Sequence, residues 1–246
     1  MHSARRPWLI VPGSAPHFPD PELADSDGLL AVGGDLGAER LLLAYERGVF
    51  PWYDKGLPPL WWSPDPRAVL DIDHLHISRS MRREIKNTPL QLTFDRAFHE
   101  VMFQCGQERE NGTWILDPML DAYTQLHELG HAHSIEAWDG DVLVGGLYGV
   151  HRGALFAAES MFHRRTNASK LVLLASVSTL FELGIELYDV QFLTEHLATL
   201  GGYEIPRAEY LRRLARAKAQ KVDLHRLGEV DPLHQLRQRV ARQEQR

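Results

Sequence analysis

Asp189 and Gln191, near the end of a short apolar segment, are the first side chains in this sequence that suggest chemistry. The segment IELYDVQF is typical of a β-strand, and residues i and i+2 of a strand point to the same face. We therefore expect the carboxylate and the amide to project together. Polar groups on an apolar strand must be satisfied by partners or used by a ligand. The alternative is that Asp189 is buried and caps the helix that begins near Thr194.

Glu159 is a second candidate because it interrupts the apolar segment ALFAAESMF. A carboxylate inside an apolar strand is costly unless it is paired, and its partner could be Lys170 or the amine of a ligand. In a partly dry pocket, an ionised glutamate suits a cationic group. Taken alone, the residue is better explained by a structural ion pair.

Tryptophans indicate where unpaired nucleotides could stack, because aromatic rings near basic patches are what such nucleotides need. Packing between domains explains the same residues equally well. Four of the six tryptophans are Trp52, Trp61, Trp62 and Trp114.

The charge distribution is uneven. The net charge of −6 argues against a globally basic nucleic-acid-binding protein. However, the segment 206–246 carries eleven Lys and Arg against five Asp and Glu, and a second basic cluster lies between Arg79 and Lys86. Such local patches suit a polyanion held at one place, although solvated helix faces explain them equally well.

Several kinds of site are excluded by the sequence. A single cysteine, Cys105, offers neither an internal disulfide nor a multi-cysteine zinc site. His131 and His133 share a strand face, but no third ligand follows at a usual spacing, so we expect no metal. There is no P-loop or nucleophile elbow. No segment approaches the ~20 apolar residues that span a bilayer, so we expect a soluble, cytoplasmic protein.

The spacing of apolar residues and turns predicts an α+β architecture. Residues 1–63, rich in Pro, Gly and Trp, are predicted to form a small N-terminal domain, and residues 64–246 the main domain. Three consecutive strands, with a hairpin at Asp139-Gly140, precede a long buried helix and another strand, which predicts a mixed sheet with helices on its faces. We expect Asp95 to open a helix, and residues 236–246 to be frayed or disordered.

Eleven segments, in order and between Leu23 and Arg207, together resemble the leucyl/phenylalanyl-tRNA–protein transferases. They are LADSDGLLAVGGDL, LLLAYERGVFPWY, WWSPDPRAVL, LHISRSMRR, GTWI, AYTQLHELGHAHSIEAW, LVGGLYGV, ESMF, NASK, DVQ and TEHLATLGG.

The resemblance implies a main domain like that of the N-acetyltransferases (the GNAT fold). It implies transfer of leucine or phenylalanine, and weakly methionine, from aminoacyl-tRNA to proteins beginning with Arg or Lys, which marks them for degradation. It implies no ATP, metal or acyl-CoA, and nothing suggests an obligate oligomer, so we expect a monomer.

The resemblance also implies roles for particular residues. Asp189 and Gln191 match the catalytic pair, and Glu159 matches an acidic residue that would bind the cationic acceptor. Positions that hold the 3′ adenosine and the aminoacyl group are matched by Trp52, Trp114 and Phe156. A tRNA-binding helix is matched by Arg79, Arg83 and Lys86. We expect an apolar aminoacyl pocket formed by Leu147, Phe156, Met161, Leu173 and Leu180.

From this reaction we expect the carbonyl of Gln191 to hold an amine hydrogen while Asp189 polarises the amide or takes the proton itself. Three residues depart from the family pattern: Ala158, Ser176 and Tyr188. The last two leave the preference between leucine and phenylalanine open.

Two other functions remain compatible with the sequence. One is a small-molecule N-acetyltransferase, although the segment HRRTNASK lacks the glycines that cradle a pyrophosphate. The other is a non-catalytic tRNA-binding module.

Overall fold

The N-terminal part of the chain forms a small sheet in this computed structural model, which describes residues 6–107 and 115–245. Its strands are β1 (Trp8–Ile10), β2 (Leu29–Gly33), β3 (Phe50–Pro51) and β4 (Leu60–Trp62). They lie in the order β1-β2-β4-β3. Helix α1 (Ala38–Glu46) links β2 to β3, as the apolar spacing predicts. The strands themselves were not predicted, because two to five residues are too few for a periodic pattern.

The main part of the chain forms a seven-stranded sheet in the order β11-β5-β10-β9-β8-β7-β6. The strands are β5 (Arg67–Leu70), β6 (Gln91–Phe94), β7 (Ala132–Asp139), β8 (Val142–Arg152), β9 (Leu155–His163), β10 (Leu187–Gln191) and β11 (Tyr203–Ile205). β7, β8 and β9 are an antiparallel meander, whereas β9 and β10 run parallel. The predicted mixed sheet is therefore confirmed.

Helices cover both faces of this sheet. They are α2 (Arg79–Asn87), α3 (Phe98–Gln107), α4 (Asp117–Glu128), α5 (Ala168–Glu182), α6 (Glu195–Thr199), α7 (Arg207–Ala217) and α8 (Pro232–Glu244). Parallel strands need a crossover connection, and α5 supplies it between β9 and β10. Because α5 is apolar on nearly all sides, it is buried between the sheet and α8.

The strands contribute to two hydrophobic clusters, one on each face. On β9, Leu155 and Ala157 belong to the cluster shared with α1, α3, α4 and the small sheet. Phe156 and Ala158 belong to the cluster shared with α2, α5 and α8. This alternation follows from the two-residue period of a strand, so that each face of the sheet is covered by its own hydrophobic cluster.

Two sequence expectations are wrong. Asp95 does not open a helix: it has a φ of 55°, and its Oδ1 accepts the Ser134 backbone N–H at 2.8 Å, so α3 begins three residues later at Phe98. The C-terminal residues are not frayed, because α8 extends to Glu244. Its residues Leu236 and Val240 are fully buried against the core, which shows that their helical spacing was the decisive signal.

Candidate active site

A cavity of about 330 Å³ opens where β9 and β10 separate. The two strands are paired only from Leu155 to Ala157 and from Leu187 to Asp189. Just beyond, each strand carries a bulge against its other neighbour, with Glu159 extra on β9 and Val190 extra on β10. Bulges end regular pairing and re-aim side chains. The residues lining the cavity are Phe50, Pro51, Trp52, Leu147, Ala158, Glu159, Ser160, Met161, Leu173, Val190, Gln191, Phe192, Thr194 and Leu197.

Gln191 reaches this cavity through an unusual backbone conformation. Its φ is 59°, in the left-handed region that non-glycine residues seldom adopt. The Asp189 Oδ1 holds this conformation by accepting the Gln191 backbone N–H at 2.9 Å. The Gln191 side-chain Nε2 donates to Glu159 Oε1 at 2.8 Å, which fixes the amide across the cavity wall. The amide is thus oriented by Glu159, and its backbone by Asp189.

Asp189 lies beneath the cavity and is not part of its described lining. Arg67 binds its two carboxylate oxygens at 2.8 Å from Nε and 2.6 Å from Nη2, and the Tyr210 hydroxyl donates to it at 2.8 Å. Burial alone would lower the pKa of Arg67, but the Asp189 carboxylate raises it above its ordinary value. The expectation that Asp189 and Gln191 share a face is wrong, because the bulge at Val190 breaks the two-residue alternation.

Glu159 lies at the wall of the cavity, where its hydrogen-bond partners are neutral and the charged groups that act on it are Asp189 and Arg67 rather than Lys170. Besides Gln191, it is hydrogen-bonded to Tyr45, whose hydroxyl lies 2.6 Å from that of Tyr123. Burial raises the pKa of Glu159 to about 8, against the lowering effect of its hydrogen bonds to Tyr45 and Gln191. At neutral pH this environment therefore favours the protonated carboxyl.

An aromatic platform forms one rim of the cavity. Trp52 is 42% exposed and Phe192 is 39% exposed, and their ring centroids lie 5.7 Å apart. Phe50 packs edge-on against Phe192 at 5.8 Å. Trp61 is buried in the core, so the packing interpretation holds for it. Trp114 lies outside the residues that the structure describes.

Three of the five residues predicted for an apolar pocket line the cavity, namely Leu147, Met161 and Leu173. Phe156 and Leu180 are buried in the cluster behind it and are not part of its described lining. For these two residues a place in the aminoacyl pocket stays a prediction.

The three predicted tRNA-binding residues lie on α2. Arg79 and Arg83 are exposed, while the Lys86 Nζ is 2.8 Å from Glu244 on α8. Ser78 caps this helix by accepting the Met81 backbone N–H.

Sequence reasoning missed the residues that hold the site from below, Arg67, Tyr45, Tyr123 and Tyr210. A charged residue opening the apolar strand RAVL was a visible signal for Arg67. No local signal could pair Tyr45 with Tyr123, because these residues lie 78 positions apart in the chain.

Within the described residues, no group of three or more His, Cys, Asp or Glu side chains could hold a metal ion. His133 instead approaches Asp95, with 2.7 Å between Nδ1 and Oδ2. In residues 6–107 and 115–245, no helix has the length and apolar character needed to cross a bilayer.

Comparisons with known proteins agree with the resemblance seen in the sequence. Residues 69–215 match the family model for leucyl/phenylalanyl-tRNA protein transferase, and residues 34–65 match the model for its N-terminal domain. A leucyl/phenylalanyl-tRNA–protein transferase from Anaeromyxobacter sp. (strain Fw109-5) is 55% identical over 81% of this chain and 86% of that protein. The one from Citrobacter koseri is 51% identical over 85% of this chain and 90% of that protein.

Among solved structures, that of L-PGS from Bacillus licheniformis covers 68% of this chain and 56% of that protein. It is 14% identical, with a TM-score of 0.38. At that level the likeness carries no argument about fold, and the GNAT-like architecture stays a prediction.

Proposed function

The chain belongs to the leucyl/phenylalanyl-tRNA–protein transferase family, and we propose that the cavity between β9 and β10 is its active site. The enzyme is an aminoacyltransferase that moves leucine or phenylalanine from aminoacyl-tRNA to the N-terminal Arg or Lys of acceptor proteins. The product marks the acceptor for degradation. The observation that carries the assignment is the Gln191 amide, fixed by Glu159 at the wall of a cavity that combines an apolar side with exposed aromatic rings.

The reaction forms an amide at the expense of an ester. The acceptor's α-amine attacks the ester carbonyl, the bond to the 3′ oxygen of tRNA breaks, and the proton lost by the amine ends on that oxygen. The ester is already activated, and an α-amine with a pKa of about 7.7–8.0 is roughly one-tenth uncharged at neutral pH. No nucleophilic side chain is required, so the protein has to orient the amine and stabilise the developing charge.

We assign the orientation of the amine to Gln191. Because its Nε2 is engaged by Glu159, the carbonyl oxygen is the end of the amide that can accept a hydrogen from the attacking amine. This hydrogen bond orients the amine so that the lone pair of its nitrogen points towards the ester carbonyl. A neutral amide is a weak base, so the proton passes to the leaving 3′ oxygen.

Asp189 acts as a positioning residue rather than as the base. Its oxygens are occupied by Arg67, Tyr210 and the Gln191 backbone N–H. All four hydrogen bonds come from the protein, and Asp189 is not among the residues that line the cavity, so the carboxylate is not placed to meet the attacking amine. Its contribution is to hold the left-handed backbone at Gln191.

The other parts of the cavity fit the two substrates. Apolar surface for the aminoacyl side chain is offered by Leu147, Met161 and Leu173. Because an apolar pocket separates similar side chains only ~10–200-fold, methionine should also be accepted, though more weakly. Trp52 offers an exposed ring for the terminal adenine. Glu159 would pair with the acceptor's cationic side chain. Trp114 remains a proposal by resemblance alone.

The overall architecture is also part of the proposal. A small N-terminal unit, residues 1–63, and a GNAT-like catalytic unit, residues 64–246, are supported by the change of sheet between Trp62 and Arg67. The parallel β9–α5–β10 unit, with a cavity where its strands diverge, supports the GNAT likeness.

Single-turnover transfer from leucyl-tRNA to a peptide beginning with Arg tests the assignment of Gln191. We expect Gln191→Ala to slow transfer on the order of 10²-fold with little change in tRNA binding, because it removes one positioned hydrogen-bonding group. Gln125→Ala, at an exposed position on α4, is the matched control. A near-normal rate for Gln191→Ala would contradict the assignment.

The transfer assay, combined with binding measurements for acetyl-CoA and for tRNA, separates the two rival functions. Tight acetyl-CoA binding without transfer would favour an N-acetyltransferase. Binding of tRNA without modification of the peptide would favour a non-catalytic module.

A further inference from the structure

Two buried hydroxyl groups lie in the apolar layer behind the cavity. The Tyr188 hydroxyl on β10 is 2.7 Å from the Ser176 Oγ on α5, and the Ser176 Oγ donates to the Leu173 backbone oxygen at 2.9 Å. Both side chains are fully buried. Ser176 therefore accepts the hydrogen of Tyr188, and the pair is satisfied within an otherwise hydrophobic cluster.

These hydroxyls lie one layer below residues that line the cavity. Val190 lines it, and Tyr188 is two residues earlier on the same strand and in the same hydrophobic cluster. Leu173 lines it, and Ser176 follows one turn later on α5. The apolar end of the cavity is therefore backed by the ring of Tyr188.

A second aromatic ring immobilises the first. Phe156 on β9 lies directly opposite Tyr188 on β10 in the parallel pair, and their ring centroids lie 5.3 Å apart. Ala158, two residues after Phe156, lines the cavity with a small side chain. Tyr188 is thus hydrogen-bonded through its hydroxyl to Ser176 and packed against the tilted ring of Phe156, and both contacts would have to change for the ring to move aside.

We infer that Tyr188, fixed by Ser176, closes the apolar end of the aminoacyl pocket and selects leucine over phenylalanine and larger aromatic side chains. The inference rests on the proposed function of this cavity. A tyrosine whose hydroxyl is committed to a buried partner is a rigid wall, because moving it would strand a hydrogen-bonding group in apolar surroundings. Leucine is shorter than phenylalanine and needs less depth.

The test compares kcat/KM for leucyl-tRNA and phenylalanyl-tRNA, because a merely structural role would lower both values and leave their ratio unchanged. Tyr188→Val removes the wall, and we expect the ratio to shift towards phenylalanine by about tenfold, within the range seen for changes in apolar pockets. Tyr188→Phe keeps the ring but removes its hydrogen bond to Ser176, so the ratio should shift in the same direction by less than it does in Tyr188→Val.

Two further variants distinguish a failure of the inference about Tyr188 from a failure of the proposed pocket. Leu236→Ala removes buried volume on α8, away from the cavity lining, and should leave the ratio unchanged. Leu173→Ala alters a residue of the proposed pocket itself. If Leu173→Ala changes the ratio and Tyr188→Val does not, the inference is overturned while the proposed pocket stands. If neither changes it, both are overturned.

A measurement on the unaltered enzyme does not depend on the folding of any variant. With tRNAs carrying leucine, methionine, phenylalanine or tryptophan, kcat/KM should fall from leucine to phenylalanine and become very small for tryptophan. Equal use of leucine and tryptophan would overturn the inference.

Discussion

At the scale of single residues, the environment of Glu159 determines the chemistry of the site. Its hydrogen-bond partners, Gln191 and Tyr45, are neutral. Burial raises its pKa to about 8, with the Asp189 carboxylate acting in the same direction and the Arg67 guanidinium against it. A cationic acceptor residue that enters the cavity would lie beside this carboxyl group and favour its ionised form. Binding of a cationic acceptor residue is therefore linked to deprotonation of Glu159.

The raised pKa of Glu159 predicts a pH dependence of stability. Between its ordinary pKa of 4.5 and its folded value of about 8, the folded protein binds a proton that the unfolded chain has released. The free energy of unfolding should therefore fall as pH rises through this window. Glu159→Gln should remove this component, as measured by urea unfolding from pH 5 to pH 9. Exposed Glu128→Gln should keep it, and identical pH profiles for wild type and Glu159→Gln would refute the account.

At the scale of elements, Arg67 joins four segments of the chain below the site. From β5 it binds Asp189 on β10, the Gly48 carbonyl after α1 and the Tyr210 ring of α7. Replacing one partner of a buried ion pair typically costs about 3–5 kcal/mol, because the other charge is left uncompensated.

We expect Arg67→Met to lower the free energy of unfolding by roughly that amount, and to reduce transfer because the backbone at Gln191 loses its anchor. Arg242→Ala breaks an exposed ion pair with Glu182 and should cost less than ~1 kcal/mol. Urea denaturation of both variants gives the comparison. Equal small losses would mean that the buried pair is not a structural anchor.

The elements also show what the sequence can predict. Long apolar or alternating runs, such as α5 and the meander β7–β9, were predicted because tertiary packing and local pattern agree there. The bulges at Glu159 and Val190 were not, because an extra residue leaves no local signature. The sequence therefore identified Gln191 and Glu159 but could not show that Asp189 lies beneath them, paired with a residue 122 positions away.

At the scale of the whole molecule, many of the positive charges in the basic C-terminal region are already paired within the chain. Six of its arginines pair with carboxylates of this chain, in Arg207–Glu22, Arg212–Glu209, Arg213–Asp71, Arg216–Glu186, Arg226–Glu229 and Arg242–Glu182. The excess of +6 in segment 206–246 is therefore a poor measure of its attraction for a polyanion. On α2, Lys86 is likewise engaged by Glu244, whereas Arg79 and Arg83 are exposed.

This distribution predicts which charges determine the salt dependence of tRNA binding. Each phosphate contact contributes roughly 0.7–0.9 to the slope of log affinity against log salt concentration. Arg79→Ala combined with Arg83→Ala should lower that slope by about 1.5, whereas Arg226→Ala combined with Arg242→Ala should leave it nearly unchanged. Fluorescence anisotropy with labelled tRNA at several salt concentrations measures both slopes. If only the C-terminal pair changed the slope, tRNA would approach over the C-terminal segment rather than α2, and the exposed arginines of α2 would be a solvated helix face.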